Sequence, residues 1–166
     1  AEMAMSWGNQ VLDTKSRRDG GLPSSFQGDK SCEAAINEAM DTFINLNTRA
    51  PEFISLYIDE HLRKGTRFAD DTTALEPVLD KTITIFRYVH EMDVFKRYYK
   101  MHLTRRLLHN RSASDDAERS MIAKLKVECG HGYVQKLQGM LNDMTLSEAV
   151  LRAVHRPVER DGSSLP

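Results

Sequence analysis

The sequence predicts an all-α protein of about six helices. Apolar residues recur at the three- and four-residue spacing of an amphipathic helix in successive segments between positions 36 and 144. Residues that start helices, such as Ser, Asp and Pro, and glycines that end them separate these segments. We find no alternating strand pattern and no internal repeat, so we expect helices that pack on other helices.

The first thirty residues differ from the rest. Residues 1–30 combine several glycines and serines with few apolar positions, which predicts a poorly ordered leader. A short helix over residues 3–12 is the alternative for part of this segment. We expect the folded part to begin near Ser31.

Two helices are predicted between Ser31 and Gly65. The first ends at a polar group around Asn47, and the second begins at Pro51, whose fixed φ suits a first helical residue. Gly65 is expected to stop the second helix, and residues 66–73 form a polar connection. The two apolar stripes are Ile36, Met40, Phe43 and Ile44, then Phe53, Ile54, Tyr57, Ile58 and Leu62.

The next two helices are predicted to start near Glu76 or Pro77 and at Asp93, a good N-cap residue. The second has a wide apolar face, so it should have neighbours on more than one side. The apolar positions are Leu79, Ile83, Phe86 and Val89 in the first helix, and Val94, Phe95, Tyr98, Tyr99, His102, Leu103, Leu107 and Leu108 in the second.

A further helix should be capped by Ser112 or Ser114, because acidic residues fill the turn that follows and suit the positive end of a helix dipole. Gly130 suits a left-handed C-terminal position and should end this helix. Its apolar face is Met121, Ile122, Leu125 and Cys129, and a last helix should bury Tyr133, Val134, Leu137, Met140, Leu141 and Met144.

The tail over residues 147–166 opens with a helical pattern, with Ser147 as its N-cap, but Pro157 and the polar end predict disorder.

Composition describes an ordinary globular chain. Of 166 residues, 40% are apolar and 28% are charged, and the net charge of −1 argues against a general polyanion binder. No apolar run has the ~18 residues of a membrane span, and no signal-peptide pattern is present. We therefore expect the cytosol and nucleus, where Cys32 and Cys129 remain thiols.

No arrangement of residues in the sequence predicts a catalytic, cofactor-binding or metal-binding site. Cys129, His131 and His109 fall short of the four paired ligands of a structural zinc site, and Cys129 lacks the base and orienting group of a nucleophile. Asp115 and Asp116 are adjacent on a helix and point in different directions, so helix-start acids explain them. We predict no catalytic, cofactor-binding or metal-binding residue and no cofactor.

A basic stripe with interleaved aromatic residues is the feature most like a nucleic-acid surface. Neighbouring acids such as Glu91, Asp93 and Asp115 nearly neutralise it, so we expect solvated or ion-paired side chains that contribute little individually. The stripe is Lys96, Arg97, Lys100, Arg105, Arg106 and Arg111, interleaved with Tyr98, Tyr99 and His102. Methionines at helical spacing, Met101, Met121, Met140 and Met144, are expected to fill the core rather than bind partners.

Several long phrases in order resemble the cullin family, most closely its cullin-three type. They are INLNTRAPEFISLYIDEHLRKG, VLDKTITIFRYVHEMDVF, VFKRYYKMHLTRRLL, SDDAERSMIAKLKVECG and LQGMLNDM, and they cover roughly Ile36 to Leu146. The resemblance implies that residues 31–66 end the last repeat of an α-helical stalk. Residues 73–146 would open the helical bundle of the cullin homology domain, and residues 147–166 match nothing in the family.

The resemblance implies a non-catalytic scaffold segment of a cullin-RING ubiquitin ligase, acting in ubiquitin-dependent protein degradation. A RING subunit and a BTB-type substrate adaptor would be partners of the parent cullin, whose docking regions and modifier-acceptor lysine lie outside the matching segment. The alternative is an independent helical module whose basic face binds RNA or another protein. We also expect Leu103, Leu107, Met140 and Met144 to be partly uncovered and to favour self-association.

Overall fold

A computed structural model describes residues 2–21, 30–66 and 72–154. These residues form seven α-helices and no strand, apart from an isolated bridge between Arg63 and Ser112. The helices are α1 (Glu2–Gly21), α2 (Lys30–Leu46), α3 (Ala50–His61), α4 (Thr72–Phe86), α5 (Met92–Leu108), α6 (Asp115–Cys129) and α7 (His131–Val154). The all-α fold class is confirmed, with one helix more than expected.

Helix α3 lies at the centre of the fold. It packs against α1, α4 and α5, while α6 packs against α4 and α7. Nine of its twelve residues are buried. A helix with neighbours on several sides needs apolar residues on more than one face, as α3 has. None of the helices described is long and apolar enough to cross a membrane.

The prediction of a poorly ordered leader over residues 1–30 is wrong for residues 2–21, which form α1. The helix lies against α3: the rings of Trp7 and Phe53 meet edge to face at 5.8 Å, and the Tyr57 hydroxyl donates to Asn9 Oδ1 at 3.0 Å. Gly8 allows this approach, because a Cβ there would lie 2.4 Å from Cδ2 of Tyr57. Residues 22–29 are outside the described part.

The helical pattern predicted at the start of the tail is present, so the description of residues 147–166 as a disordered tail is wrong for residues 147–154. Helix α7 continues without a break to Val154, so Ser147 lies within a helix rather than at its start. Residues 155–166, including Pro157, lie outside the described residues.

Helix ends were predicted with mixed success. Ser114 caps α6 by accepting a hydrogen bond from the Ala117 amide at 3.1 Å, and Gly130 ends α6 with φ +84°. Helix α5 instead begins at Met92, with Glu91 in the cap position and no side-chain bond, and α3 ends four residues before Gly65. Helix α4 starts at Thr72 and contains Pro77, whose missing N–H costs one bond near the helix start.

The division into a stalk end over residues 31–66 and a bundle start over residues 73–146 stays a prediction. The helices of these two segments are in direct contact through α3 and α5.

Candidate functional site: a buried ion network between three helices

Arg106 of α5 is the centre of a buried ion network. Its side chain is 1% exposed and donates from Nε and Nη2 to the two carboxylate oxygens of Glu118 of α6, at 2.7 and 2.9 Å. Its Nη1 donates to Asp59 Oδ1 of α3. Two parallel bonds between a guanidinium and a carboxylate are the strongest geometry for such a pair. One side chain therefore ties together α3, α5 and α6.

Asp59 extends the network toward the surface. Its Oδ2 accepts from Arg63, which also contacts Glu60 at 3.0 Å and is partly exposed. The same oxygen lies 3.6 Å from Nδ1 of His102, too far for a hydrogen bond. Both nitrogens of the buried His102 ring lack a hydrogen-bond partner among the residues described.

The backbone holds the network in place. After α3 the chain runs beside the loop between α5 and α6, where the Lys64 amide donates to the Arg111 carbonyl and the Ala113 amide donates to the Leu62 carbonyl, each at 2.7 Å. This pairing puts Ser112 inside, and its hydroxyl donates to Glu118 Oε1 at 2.8 Å. Four of the five N–H and O–H donors that these bonds bring to Glu118 and Asp59 thus come from α5 and the loop that follows it.

The electrostatics favour one protonation state. Burial alone would lower the pKa of Arg106, but the adjacent Glu118 carboxylate more than offsets this and raises it. Burial, and secondarily Glu118, raises the pKa of the Tyr99 hydroxyl above its ordinary value. Burial lowers the pKa of His102, although Asp59 acts in the opposite direction. The network therefore holds a charged arginine and a neutral histidine.

This arrangement fixes helix positions and is closed to substrates. Asp59, Arg106 and Glu118 are each 1% exposed or less. A reacting group needs access to a substrate, whereas these side chains are inaccessible and form hydrogen bonds to one another. Within the part of the chain that the structure describes, no group of three or more His, Cys, Asp or Glu residues is placed to hold a metal ion.

The other predicted candidates for chemistry lie elsewhere and apart. Cys129, at the end of α6, is half-buried, and burial raises the pKa of its thiol, so the nucleophilic thiolate is disfavoured. Asp115 and Asp116 are exposed in the first turn of α6, where the helix dipole explains them.

The predicted basic stripe is divided by the fold. Arg106 is buried, and Tyr99 and His102, which were to interleave with the cations, are buried too. Lys96 lies over the ring of Tyr133 at 4.5 Å. The residues of the stripe that stay exposed are Arg97, Lys100, Arg105 and Arg111. Arg106 is ion-paired with the neighbouring helices α3 and α6, which is one of the two outcomes expected for the stripe. Because its side chain is desolvated, we expect it to contribute more to stability than an exposed ion pair does.

The predicted apolar patch is only half present. Leu103 is fully buried and Leu107 is 9% exposed, while Met140 and Met144 are half-buried. Leu108 is exposed instead, and a shallow groove between α5 and α7 is lined by Thr104, Leu107, Leu108, Met140, Asp143 and Met144. Of the methionines expected in the core, Met121 is fully buried but Met101 is 37% exposed.

Sequence reasoning missed Asp59 and misread Glu118, although the sequence carried a signal for both. Glu118 precedes Met121, Ile122 and Leu125 at the spacing of one helix face, so it belongs to the buried side of α6. Asp59 likewise stands within the crowded apolar run of α3. A charged residue in register with a core face predicts a buried partner of opposite charge.

Comparison with known proteins agrees with this all-α architecture. A family model described as the cullin alpha solenoid domain matches residues 1–151. The chain belongs to the cullin family. The match includes α1, which the resemblance in sequence alone did not cover.

Several curated relatives carry names of the cullin-3 type. Cullin-3A of Arabidopsis thaliana is 47% identical over 146 residues, covering 88% of this chain and 20% of the relative. Cullin-3 of Dictyostelium discoideum is 44% identical over 156 residues (94% and 20%), and cullin-3 of Caenorhabditis elegans is 38% identical over 138 residues (83% and 18%). The chain thus spans about a fifth of the length of these relatives.

Proposed function

We propose that this chain is a rigid, non-catalytic scaffold segment of a cullin-RING ubiquitin ligase that acts in ubiquitin-dependent protein degradation. The observation that carries the proposal is the Arg106 network, which locks α3, α5 and α6 together within a chain that belongs to the cullin family. A scaffold works by keeping bound partners at a fixed separation and orientation. Positioning of this kind can supply several kcal/mol of a reaction barrier.

The parent cullin would hold a RING subunit and a BTB-type substrate adaptor, with this segment between their docking regions. The cytosol and nucleus remain the predicted location. No residue of the segment need touch the transferred ubiquitin, because the segment contributes geometry.

A chimera tests the proposal directly. The matching 146-residue segment of Arabidopsis cullin-3A is replaced by that of this chain, and transfer of ubiquitin to an adaptor-bound substrate is measured in a reconstituted ligase. We expect the chimera to be active. We expect Arg106→Met in the chimera to lower the rate while binding of the RING subunit and the adaptor is retained. Arg105→Met, on the exposed side of the same helix, is the matched control. An inactive chimera that still binds both partners would contradict the scaffold role.

A pull-down with the 166-residue chain tests where the partners dock. We expect this chain to retain neither the RING subunit nor the BTB adaptor. A full-length cullin-3, which should retain both, is the positive control. Retention of the RING subunit would place its docking surface within this segment and overturn that part of the proposal. Salt-sensitive binding of RNA, with a slope set by Arg97, Lys100 and Arg105, would instead favour the independent-module function.

A further inference from the structure

Helix α2 is attached to the fold in a different way from the other helices. The closely packed helix pairs of the described part join the other six helices and do not include α2. Of its seventeen residues, only Met40 and Ile44 are buried. An element with few buried apolar contacts can open locally while the rest of the fold stays intact. The position of α2 therefore depends largely on contacts of another kind.

These contacts are polar, and they meet at the turn between α4 and α5. The side-chain amide of Asn45 donates to the Tyr88 carbonyl at 2.7 Å, and its Oδ1 accepts from the His90 backbone amide at 3.2 Å. The Tyr88 hydroxyl donates to Asn37 Oδ1 at 2.9 Å, and Nε2 of His90 lies 2.9 Å from Asp41 Oδ1. Asn37, Asp41 and Asn45 are four residues apart, so they form one polar stripe along α2.

Asn45 is the central residue of this stripe. Its Nδ2 also donates to the Asp41 carbonyl at 2.8 Å, so the direction of the side chain is fixed by its own helix. An amide side chain can donate and accept at the same position, whereas an ionised aspartate only accepts and a leucine does neither. Because the Tyr88 and His90 backbone groups belong to the turn that leads into α5, Asn45 relates the direction of α2 to that of α5.

We propose that Asn45 is a positioning residue that sets the angle of α2 to the helices that follow it. When its bonds are lost, α2 turns as a unit about residues 47–49, which join it to α3. Helix α3 itself stays in place, because Asp59 holds it in the Arg106 network. The proposal rests on the proposed scaffold function, in which the angles between successive helices set the separation of the bound partners.

Distances between two spin labels test the angle of α2. The labels are attached at Ala35→Cys, on the exposed side of α2, and at Val127→Cys of α6, in a chain with Cys32→Ser and Cys129→Ser. Residue 35 lies about 18 Å along the helix from residue 47, so a rotation of about 20° moves it by about 6 Å. We expect a single narrow distance distribution with Asn45, and a shifted or broadened one in Asn45→Asp and in Asn45→Leu. Thr42→Ala, at an exposed position of the same helix, is the control and should change nothing. Unchanged distances in both Asn45 variants would overturn the proposal.

Hydrogen exchange separates positioning from a general effect on stability. We expect the amides of α2 to exchange about tenfold faster or more in Asn45→Leu, because two hydrogen bonds to the turn are lost, while the slowest amides of α5 and α6 keep their rates. A residue that only stabilises the whole fold would instead raise the exchange rates of all these helices together, and that result would refute the positioning role.

The chimera with Arabidopsis cullin-3A connects the angle to function. We expect Asn45→Asp to lower the rate of ubiquitin transfer about tenfold or more while both partners stay bound, because a misplacement of ~1 Å can cost up to about 10²-fold in rate. Thr42→Ala should transfer ubiquitin as fast as the unsubstituted chimera. An active chimera that Asn45→Asp does not slow would overturn the positioning role and leave the scaffold function standing. An inactive unsubstituted chimera would contradict the scaffold function, whereas the spin-label distances would still decide whether Asn45 sets the angle.

Discussion

Replacing Arg106 with methionine should destabilise this protein more than any other single change of a charged residue in the ion network. The guanidinium is 1% exposed and bonds to two carboxylates, Asp59 and Glu118, that are 1% and 0% exposed. Methionine fills a similar volume, so the loss of packing is small. Among the residues that the structure describes, the substitution leaves Glu118 with the Ser112 hydroxyl as its one side-chain donor and Asp59 with the partly exposed Arg63. Removal of one partner of a buried ion pair costs about 3–5 kcal/mol, because the charge that remains is buried without compensation.

That loss is a large share of the stability of a domain, which is about 5–15 kcal/mol. The assay is urea unfolding followed by far-UV circular dichroism at pH 7.5, with the free energy of unfolding extrapolated to water. Arg105→Met is the control, because Arg105 is the neighbouring residue on the exposed side and its loss should stay within about 0.5 kcal/mol.

A triple variant separates the loss of a partner from the loss of the network. Arg106→Met combined with Asp59→Leu and Glu118→Leu removes the unpaired charges, and we expect it to recover most of the stability that Arg106→Met loses. If Arg106→Met costs less than about 1 kcal/mol, or no more than Arg105→Met, the network does not hold the helices together and the reasoning is refuted.

Three further predictions follow from single contacts. Gly8→Ala should lower the free energy of unfolding by about 1–3 kcal/mol, because the new Cβ would lie 2.4 Å from the buried Tyr57 ring. Gly20→Ala is the control in the same helix. Its Cβ meets nothing within 4 Å, so this change should be neutral or slightly stabilising. Ser114→Ala should lower the free energy of unfolding by about 1 kcal/mol, because α6 loses its N-cap hydrogen bond. Ser114→Gly should lower it by only a few tenths of a kcal/mol. Equal losses in the two variants would contradict the capping role. Because the pKa of His102 is lowered in the folded state, mainly by burial, the unfolded chain takes up the proton first as the pH falls. Stability should therefore be fully present above pH ~6.5 and decline as the pH falls below it, and His102→Gln should reduce that decline between pH 7.5 and 5.5 in urea midpoints.

Local signals in the sequence predicted local features of the fold. The Ser114 cap, the Gly130 stop and the helical stripes that contain Ile83, Phe95 and Leu125 are each set by residues within a few positions of one another. Such signals act through the backbone of the same helix, so they can be recognised without knowing the tertiary structure.

Features set by distant contacts were missed. Helix α1 has low apolar content, and its order depends on contacts of Trp7, Gly8 and Asn9 with α3, more than forty residues further along the chain. A segment of this kind is stabilised by tertiary packing rather than by propensity. The sequence left Arg106 either solvated or ion-paired for a similar reason, because its partners Asp59 and Glu118 are 47 and 12 residues away.

The position of the ion network explains why a scaffold would keep charges in its core. Apolar side chains make contacts without strong direction, so two helices joined only by leucines can exchange one packing for another at small cost. Arg106 cannot be displaced in that way: a shift of α5 by one turn, about 5.4 Å, would leave both Asp59 and Glu118 buried without it. The penalty for that shift is the several kcal/mol of two unpaired charges, even if the network adds little to the net free energy of folding. The network therefore selects one arrangement of α3, α5 and α6, and a single arrangement is what a segment that sets the distance between two bound partners requires.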